Sequence, residues 1–438
     1  MAEKKEVLRG VYTWGEEKLI AQSETYAGKR EWLSHYFDTN GMYPLEYRDI
    51  TPDVIRNYAN GVGDPNPLYN SVEYAKGSRW GRMVAPPMLI NKVAATFGQP
   101  HRLVDPRTIR VVEILNAGTT YYFYKPIMEG TKFKVKDVWY TDFQDKTRRD
   151  GSGDRNFLST ADRVYIDQYD EIVVVVKRRR MYLYGAPIKE GEPFPPRRTG
   201  PRYKRYEYTQ EELDYIDGII DAEEIRGANP RYWEDVNEGD EMKAVAFHGL
   251  TDWDQAGMFN QLEIPRNTTI WDHSDRMEVK DDTISSGWSR RLTNWWRDPI
   301  LKPGISQSPA QVHINDDVAQ WAGSAIAYTM GGETDLMLCR LVTNWMGDDA
   351  FLKRFDTQNR LSNPNGDATI CKGKVIRKYM EDGEYLVDLA VWAENIRGFI
   401  RSPANCTMAL PSREQDKNAY RELKAGGLYK DTVKKADI

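Results

Sequence analysis

Apolar positions in the early part of the chain recur at helical spacing and then give way to strand-like runs. Val54, Ile55, Tyr58, Ala59 and Val62 fall on one face of a 3.6-residue repeat. Thr51 stands before them as an N-cap, Pro52 occupies the first helical position, and Asp53 sits at the positive end of the helix dipole. Gly61 and Gly63 suit a C-terminal cap, and the stiff turn Asp64-Pro65-Asn66-Pro67 follows. A second apolar helix is predicted near residues 83–93. From about residue 109 to 184 the pattern changes: TTYYFYKPI, KFKVKDVWYTDF, ADRVYIDQYD and EIVVVVKRRRMYLYG are rich in β-branched and aromatic residues, with turn residues between them.

The second half repeats this order of elements. Residues 185–206 are dense in Pro, Gly and Arg and read as a linker or a wrapping segment. An acidic helical stretch covers 207–227, and Asn229-Pro230-Arg231-Tyr232-Trp233 opens a new unit. Thr251 caps a further helix, helical pattern returns over about 316–355, and strands follow as ATICKGKVIRKY and EYLVDLAVWAEN. The divisions are an N-terminal extension (1–44), a first unit (45–185), a linker (186–227), a second unit (228–415) interrupted by a Trp-rich insertion at 262–310, and a tail (416–438). An apolar helix followed by antiparallel strands is buried when the sheet curls around it. Two such units set edge to edge give an α+β double hot-dog.

Composition narrows the class. The 438 residues are 40% apolar and 12% aromatic, enough for a large core, and 61 basic against 66 acidic residues leave no basic excess for nucleic acid. No apolar run reaches the roughly 18–20 residues of a membrane span, and MAEKKEVLRG lacks the apolar stretch of a signal peptide. A cytoplasmic protein is expected, without nucleic-acid or membrane partners. Cys339, Cys371 and Cys406 show no CxxC spacing and read as buried thiols; the five histidines show no ligand spacing, so no metal is expected. Gly61-x-Gly63 lacks the third glycine and the preceding strand of a dinucleotide-binding loop.

The segment YANGVGDPNPLYNSVEYAKGSRWGRMVAPPML (58–89) resembles the signature of MaoC-like acyl dehydratases, the R-specific enoyl-CoA hydratases. Asp64, Asn66, Pro67, Leu68, Gly81, Ala85 and Pro86 match its Asp-x-Asn-Pro-x-His and glycine-rich parts. ANPRYWEDVNEGDE (228–241), LVTNWMGDDAFL (341–352), NPNGDATICKGKV (363–375) and ALPSR (409–413) resemble the C-terminal hot-dog of two-domain members, so the likeness spans roughly residues 45–415. It implies a hydro-lyase that adds or removes water at the α,β bond of an acyl-CoA thioester, with CoA part of the substrate and no further cofactor. It also implies a homodimer or hetero-oligomer, since hot-dog sheets pair edge to edge.

That chemistry needs a histidine and a carboxylate to hold and deprotonate water, and a backbone N–H at a helix start to polarise the thioester carbonyl. The two halves carry different parts of this set. In the first, Asp64 and Asn66 are present, Tyr69 stands at the histidine position, and Pro87, which has no N–H, stands at the oxyanion glycine. In the second, His313 matches the family histidine, Ser308 and Ala310 replace the Asp and Asn, and Gly331 and Gly332 remain as oxyanion candidates. Three arrangements follow. His313 takes a carboxylate from Asp316, Asp317, Asp348 or Asp349; or Asp64 is the base with Tyr69 as acid; or the protein binds acyl-CoA without hydrating it. A hot-dog thioesterase is a further possibility. Arg178 and Arg180, in the basic stretch 177–180, are candidates for the phosphates of CoA. Asp64 alone also suits an Asx turn, and His313 a structural histidine.

Overall fold

The computed structural model describes residues 48–91, 111–147, 155–184, 204–251, 253–255, 312–322 and 324–414. The N-terminal extension, the tail, most of the linker and the insertion with Trp288, Trp295 and Trp296 lie outside the described residues.

In the first unit, β1 (Arg48–Asp49) leads into helix α1 (Pro52–Gly61), then α2 (Pro67–Asn70) and α3 (Val72–Gly77). Four long strands follow: β2 (Val111–Phe123), β3 (Lys132–Asp145), β4 (Arg155–Ile166) and β5 (Ile172–Tyr184). Helix α4 (Gln210–Asp221) lies between the units, held at its start by a capping box between Thr209 and Glu212. The second unit contains β6 (Val245–Phe247), α5 (Asp316–Ala322), α6 (Gly331–Met346), β7 (Phe351–Gln358), β8 (Thr369–Glu381), β9 (Glu384–Glu394) and β10 (Ile400–Ala409).

All ten strands form one antiparallel sheet in the order β1-β3-β4-β5-β2-β7-β10-β9-β8-β6. Within each half the order is the same: the first, third, fourth, fifth and second strands of the unit, counted from the outer edge. The duplication that letters barely reveal is therefore complete in topology. The halves meet where β2 pairs with β7, Gly118 opposite Gln358 through Tyr122 opposite Arg354. Gly118 is required there: it has φ +141°, and a Cβ would stand 2.3 Å from the Thr357 carbonyl oxygen.

Helix α6 is buried on almost every side and packs on β2, β6, β8 and β9. The curled sheet encloses it, and the polar side chains it buries, Asp335 and Asn344 among them, find partners inside. With Ile55 and Tyr58 of α1, Leu89 and Ile90, and Phe355, Val387 and Met408 of the sheet, it forms one continuous core. This is the double hot-dog expected from the element order. All three cysteines are free and buried.

Thr51 caps α1 as expected, its side chain accepting from the Val54 N–H at 3.2 Å. Two expectations change. The helix expected over 83–93 begins only at residue 89, because Pro86 and Pro87 hold the preceding chain extended and Val84 bridges to Met128. The helical pattern expected through 355 stops at Met346, where Gly347 turns the chain at φ +72° and Phe351–Gln358 becomes the strand that joins the two halves.

Candidate active site

In the first unit the DPNP turn spends its polar groups on itself. Asp64 Oδ1 accepts from the Asn66 N–H at 3.0 Å, and Asn66 Oδ1 caps α2 by accepting from the Leu68 N–H at 2.9 Å. Asn70 Nδ2 closes the loop on the Asp64 and Asn66 carbonyls, at 2.9 Å each. Both Asp64 and Asn66 are buried, and burial raises the Asp64 pKa against the opposing pull of the Asn66 N–H and Arg340. Tyr69 is buried as well, and desolvation with the nearby Asp64 pushes its phenol well above the usual range. A phenol so placed keeps its proton at neutral pH and can act as an acid but not as a phenolate base. Beside it, the Pro86-Pro87 corner supplies no N–H at Pro87.

A partly open cleft of about 40 Å³ borders this turn, lined by Tyr69, Trp80, Pro87, Met346, Asp348 and Phe351 among others. Asp348 stands at its wall, accepting from the Tyr74 hydroxyl at 2.7 Å, and burial raises its carboxyl. The Asp349 carbonyl is taken by Arg79. The Asp348 carboxylate and the Asp349 backbone thus belong to the junction with the first unit. His313 does not line this cleft.

The second unit arranges its groups differently. His313 Nδ1 lies 2.7 Å from the Tyr328 carbonyl oxygen. A carbonyl only accepts, so Nδ1 carries the proton and Nε2 carries the lone pair. Desolvation pushes the imidazole down to about 4, the Tyr328 hydrogen bond opposing it, so the ring is neutral at pH 7. Of the carboxylates considered for it, Asp316 pairs with Arg205 at 3.0 Å and accepts from the Ala327 N–H at 3.2 Å, and Asp317 is exposed.

Three residues beyond Tyr328, α6 begins with Gly331 and Gly332, whose N–H groups precede the first intrahelical bonds. Gly331 is closely approached: a Cβ there would lie 2.4 Å from Asn359 Nδ2 and 3.3 Å from Asn116 Nδ2. Asn359 Nδ2 is a buried donor without a partner among the described residues. On β5, Arg180 lies opposite Asn116, and Arg178 opposite Thr119, so both arginines share one face of the sheet. Arg178 lowers the pKa of Asp335 and Tyr121 in the core. Arg179 turns the other way, to Asp356 at 2.8 Å and the Thr357 carbonyl at 2.7 Å. The structure therefore gathers Gly331, Gly332, Asn116 and Arg180 at one end of α6, while His313, which precedes α5, is tied to the segment before α6 through the Tyr328 carbonyl. Asp64, Asn66 and Tyr69 sit together around the other unit's turn.

Sequence reasoning missed Asn359, Asn116, Gln255, Asn365 and Glu333. Glu333, third in its helix, had a signal: its Oε2 reaches back to the Met330 N–H at 3.0 Å, the Glu half of a capping pattern. The asparagines had none, since their relevance comes from strand pairing across the molecule.

Residues 41–176 match a family model described as the FAS1-like dehydratase domain region. A UPF0336 protein of Streptomyces avermitilis is 28% identical over 105 residues, 24% of this chain and 69% of that protein. A UPF0336 protein of Parafrankia is 28% identical over 101 residues, 21% of this chain and 66% of that protein. Among solved structures, a MaoC-like dehydratase superposes with a TM-score of 0.55 at 14% identity, covering 84% of this chain and 96% of that one. A Mycobacterium tuberculosis protein described as having a double hotdog fold has a TM-score of 0.44 at 11% identity, covering 83% and 93%. The chain thus shares the fold of the MaoC-like dehydratase, a double hot-dog, and its first unit is similar to the FAS1-like dehydratase domain region. Among the described residues no helix is long and apolar enough to cross a membrane.

Proposed function

We propose that the protein adds water to, or removes it from, the α,β bond of an acyl-CoA thioester, with His313 as the base. One observation carries this reading: His313 gives its Nδ1–H to Tyr328, leaving Nε2 as the acceptor, three residues before a helix that opens with two glycine N–H groups. In hydration, Nε2 takes a proton from water, the hydroxide oxygen bonds to Cβ, and the π electrons pass through Cα to the thioester oxygen. In this reading the Gly331 and Gly332 N–H groups and Asn359 Nδ2 receive that charge, each such donor being worth ~10²–10³ in rate. The imidazolium then returns its proton to Cα on the same face, so one residue balances the syn addition. An isolated imidazole near pKa 4 is a weak base. The negative charge developing on the thioester favours the imidazolium and raises that value during the step. Arg180 and Arg178 make this end of α6 electropositive and suit the CoA phosphates.

The position of the cleft favours a second reading, in which the protein binds an acyl thioester at Tyr69 without hydrating it. Its open space lies against Tyr69, Pro87 and Asp348 rather than His313. Following the enoyl-thioester absorbance with crotonyl-, cinnamoyl- and cyclic enoyl-CoAs separates the two. Turnover that His313→Ala lowers at least a hundredfold supports hydration at His313. Tight binding of every ester with no turnover supports the second reading.

A further inference from the structure

We infer that the chain preceding β1, residues 1–47, docks on the outer face of the first unit's sheet and seals the apolar patch of Val164, Ile166, Ile172 and Val175. On β5, Val174 and Val176 belong to the main core with Tyr121 and Tyr165. Side chains alternate along a strand, so Val164, Val175 and Tyr122, which pair directly across β4, β5 and β2, point away from α6. With Ile166, Ile172 and Tyr124 they make a second apolar cluster, separate from the main core. Its four aliphatic members are each 4% exposed or less. The next pair on this face is Asp162 opposite Lys177. Asp162 is also withdrawn from water, and neither of its carboxylate oxygens has a hydrogen-bond partner among the described residues.

The corresponding face of the second unit is different. On β9 and β10, the fourth and fifth strands there, Asp388, Ala390, Asn405 and Thr407 reach water while Leu389, Val391, Ala404 and Cys406 between them are buried. That is the alternation of an antiparallel sheet with one wet face. β5 instead begins Ile172-Val173-Val174-Val175-Val176, all five buried, the pattern of a strand covered on both faces. A sheet hides a face only under a second layer. Among the described elements, β4 and β5 make extensive contact only with their neighbouring strands. The face is buried within a single chain, so the layer over it is this chain's own and lies outside the described residues.

Where the described chain begins selects the stretch. Arg48 pairs with Phe133 at the sheet edge, and the next residue of β3, Lys134, pairs with Ile166 of the patch. Because β1 is antiparallel to β3, the chain reaches Arg48 from the side of Asp137, whose partner on β4 is Val164. Strands about 4.8 Å apart put Val175 roughly 15 Å from the line of β1, well within the reach of 47 residues at about 3.3 Å each. Trp14, Leu19, Ile20, Trp32, Leu33 and Phe37 supply this stretch with apolar side chains. The other long stretches leave from elsewhere. Residues 185–203 depart from Tyr184, about 30 Å along β5 from Val175, and rejoin close to Tyr208, whose hydroxyl binds the Gly366 carbonyl of the second unit. Residues 92–110 leave from the core beside Asn91, which binds Tyr121, and residues 256–311 and 415–438 leave from the second unit.

The test uses the full-length protein carrying a photoreactive residue on this face, Lys177→p-benzoylphenylalanine, and a second protein with Tyr122→p-benzoylphenylalanine. Irradiation and mass mapping of the joined peptides report what lies over the sheet. Both positions are expected to cross-link into residues 1–47. Asn405→p-benzoylphenylalanine, on the wet face of the second unit, is expected to do so at least tenfold less. Cross-links from positions 177 and 122 into another stretch of the same chain, or a covalent dimer showing a second copy on the face, overturn the inference. So does the absence of any cross-link, which is the result for a face open to water, or an equal yield from position 405. If the Lys177 variant does not fold, the Tyr122 variant decides by the same outcomes.

Discussion

The Tyr121 hydroxyl lies 3.0 Å from Asp335 Oδ2 and 2.9 Å from Asn91 Oδ1. One side chain of the central strand thus ties α6 of the second unit to the helical turn at residues 89–91 of the first. A phenol has a single proton to give. With the Asn91 oxygen as acceptor, both contacts are hydrogen bonds only when Asp335 is protonated and donates to Tyr121. Asp335 is fully buried, and desolvation pushes its carboxyl up to about 7 against the pull of Thr357, Tyr121 and Arg178.

This triad predicts a pH dependence of stability. The Asp335 pKa is raised above its value in the unfolded chain, about 3.9, so the folded state binds the proton more tightly. The contribution is fully present below about pH 4 and is lost as the pH rises through about 7. Asp335→Asn can donate to Tyr121 at every pH and removes this loss. Melting temperatures from pH 4 to 8 should show the variant gaining on the unaltered protein as pH rises. Parallel curves would mean that Asp335 is charged in the fold or does not face Tyr121.

Gly118 predicts the cost of disturbing the joint between the halves. A methyl group there meets the Thr357 carbonyl oxygen at 2.3 Å, on a backbone at φ +141°. Both the contact and the conformation oppose a side chain, and Gly118→Ala should cost about 3 kcal/mol. Urea unfolding of the variant checks this. An unchanged midpoint would show that the β2–β7 pairing yields without loss.

Arg340 links three parts of the chain. From α6 it donates to both carboxylate oxygens of Glu223, at 2.7 and 2.6 Å, and to the Gly63 carbonyl at 2.7 Å. Asn344 Nδ2 donates to the same carboxylate at 2.6 Å. Lysine cannot reproduce the fork, so Arg340→Lys should destabilise nearly as much as Arg340→Ala, which leaves the half-buried Glu223 with its charge unmatched at a cost of about 2 kcal/mol. Chemical denaturation of both variants measures it. A lysine variant as stable as the unaltered protein would reduce the contact to simple charge attraction.

The strands β2 to β5, the capped α1, the linker helix and the enclosed α6 were legible because local chemistry sets each of them. Thr51 caps where its position says it should, and Val173 to Val176 can hardly be anything but a buried strand. The joint at β7 was not legible. Phe351 to Gln358 continues the helical pattern in letters, and only the reversal at Gly347 and the distant partner β2 make it a strand. The candidate site divides in the same way. His313 and the two glycines stand out by type and spacing. Asn359, Gln255 and Asn365 gain their meaning from partners far along the chain, which no local pattern encodes.

The two halves compete for the chemistry, and Asp64 separates them. Its Oδ1 holds the Asn66 N–H in an Asx turn, a task an asparagine oxygen performs equally well. Asp64→Asn therefore keeps the turn and removes the charge, so the fold should be nearly as stable, and slightly more so where the unaltered carboxylate is ionised, since burial opposes that charge. Asp64→Ala removes the acceptor and should cost about 1 kcal/mol. With His313 as the base, turnover in Asp64→Asn should stay within threefold of the unaltered protein, while Asn359→Ala, which deletes the unpartnered donor beside Gly331, should lower kcat/KM at least tenfold. Measuring the four kinetic profiles together is decisive. Should Asp64→Asn abolish turnover while Asn359→Ala leaves it intact, the base is Asp64 in the first unit, the acid is Tyr69, and the cleft between Trp80 and Phe351 becomes the place where the thioester reacts.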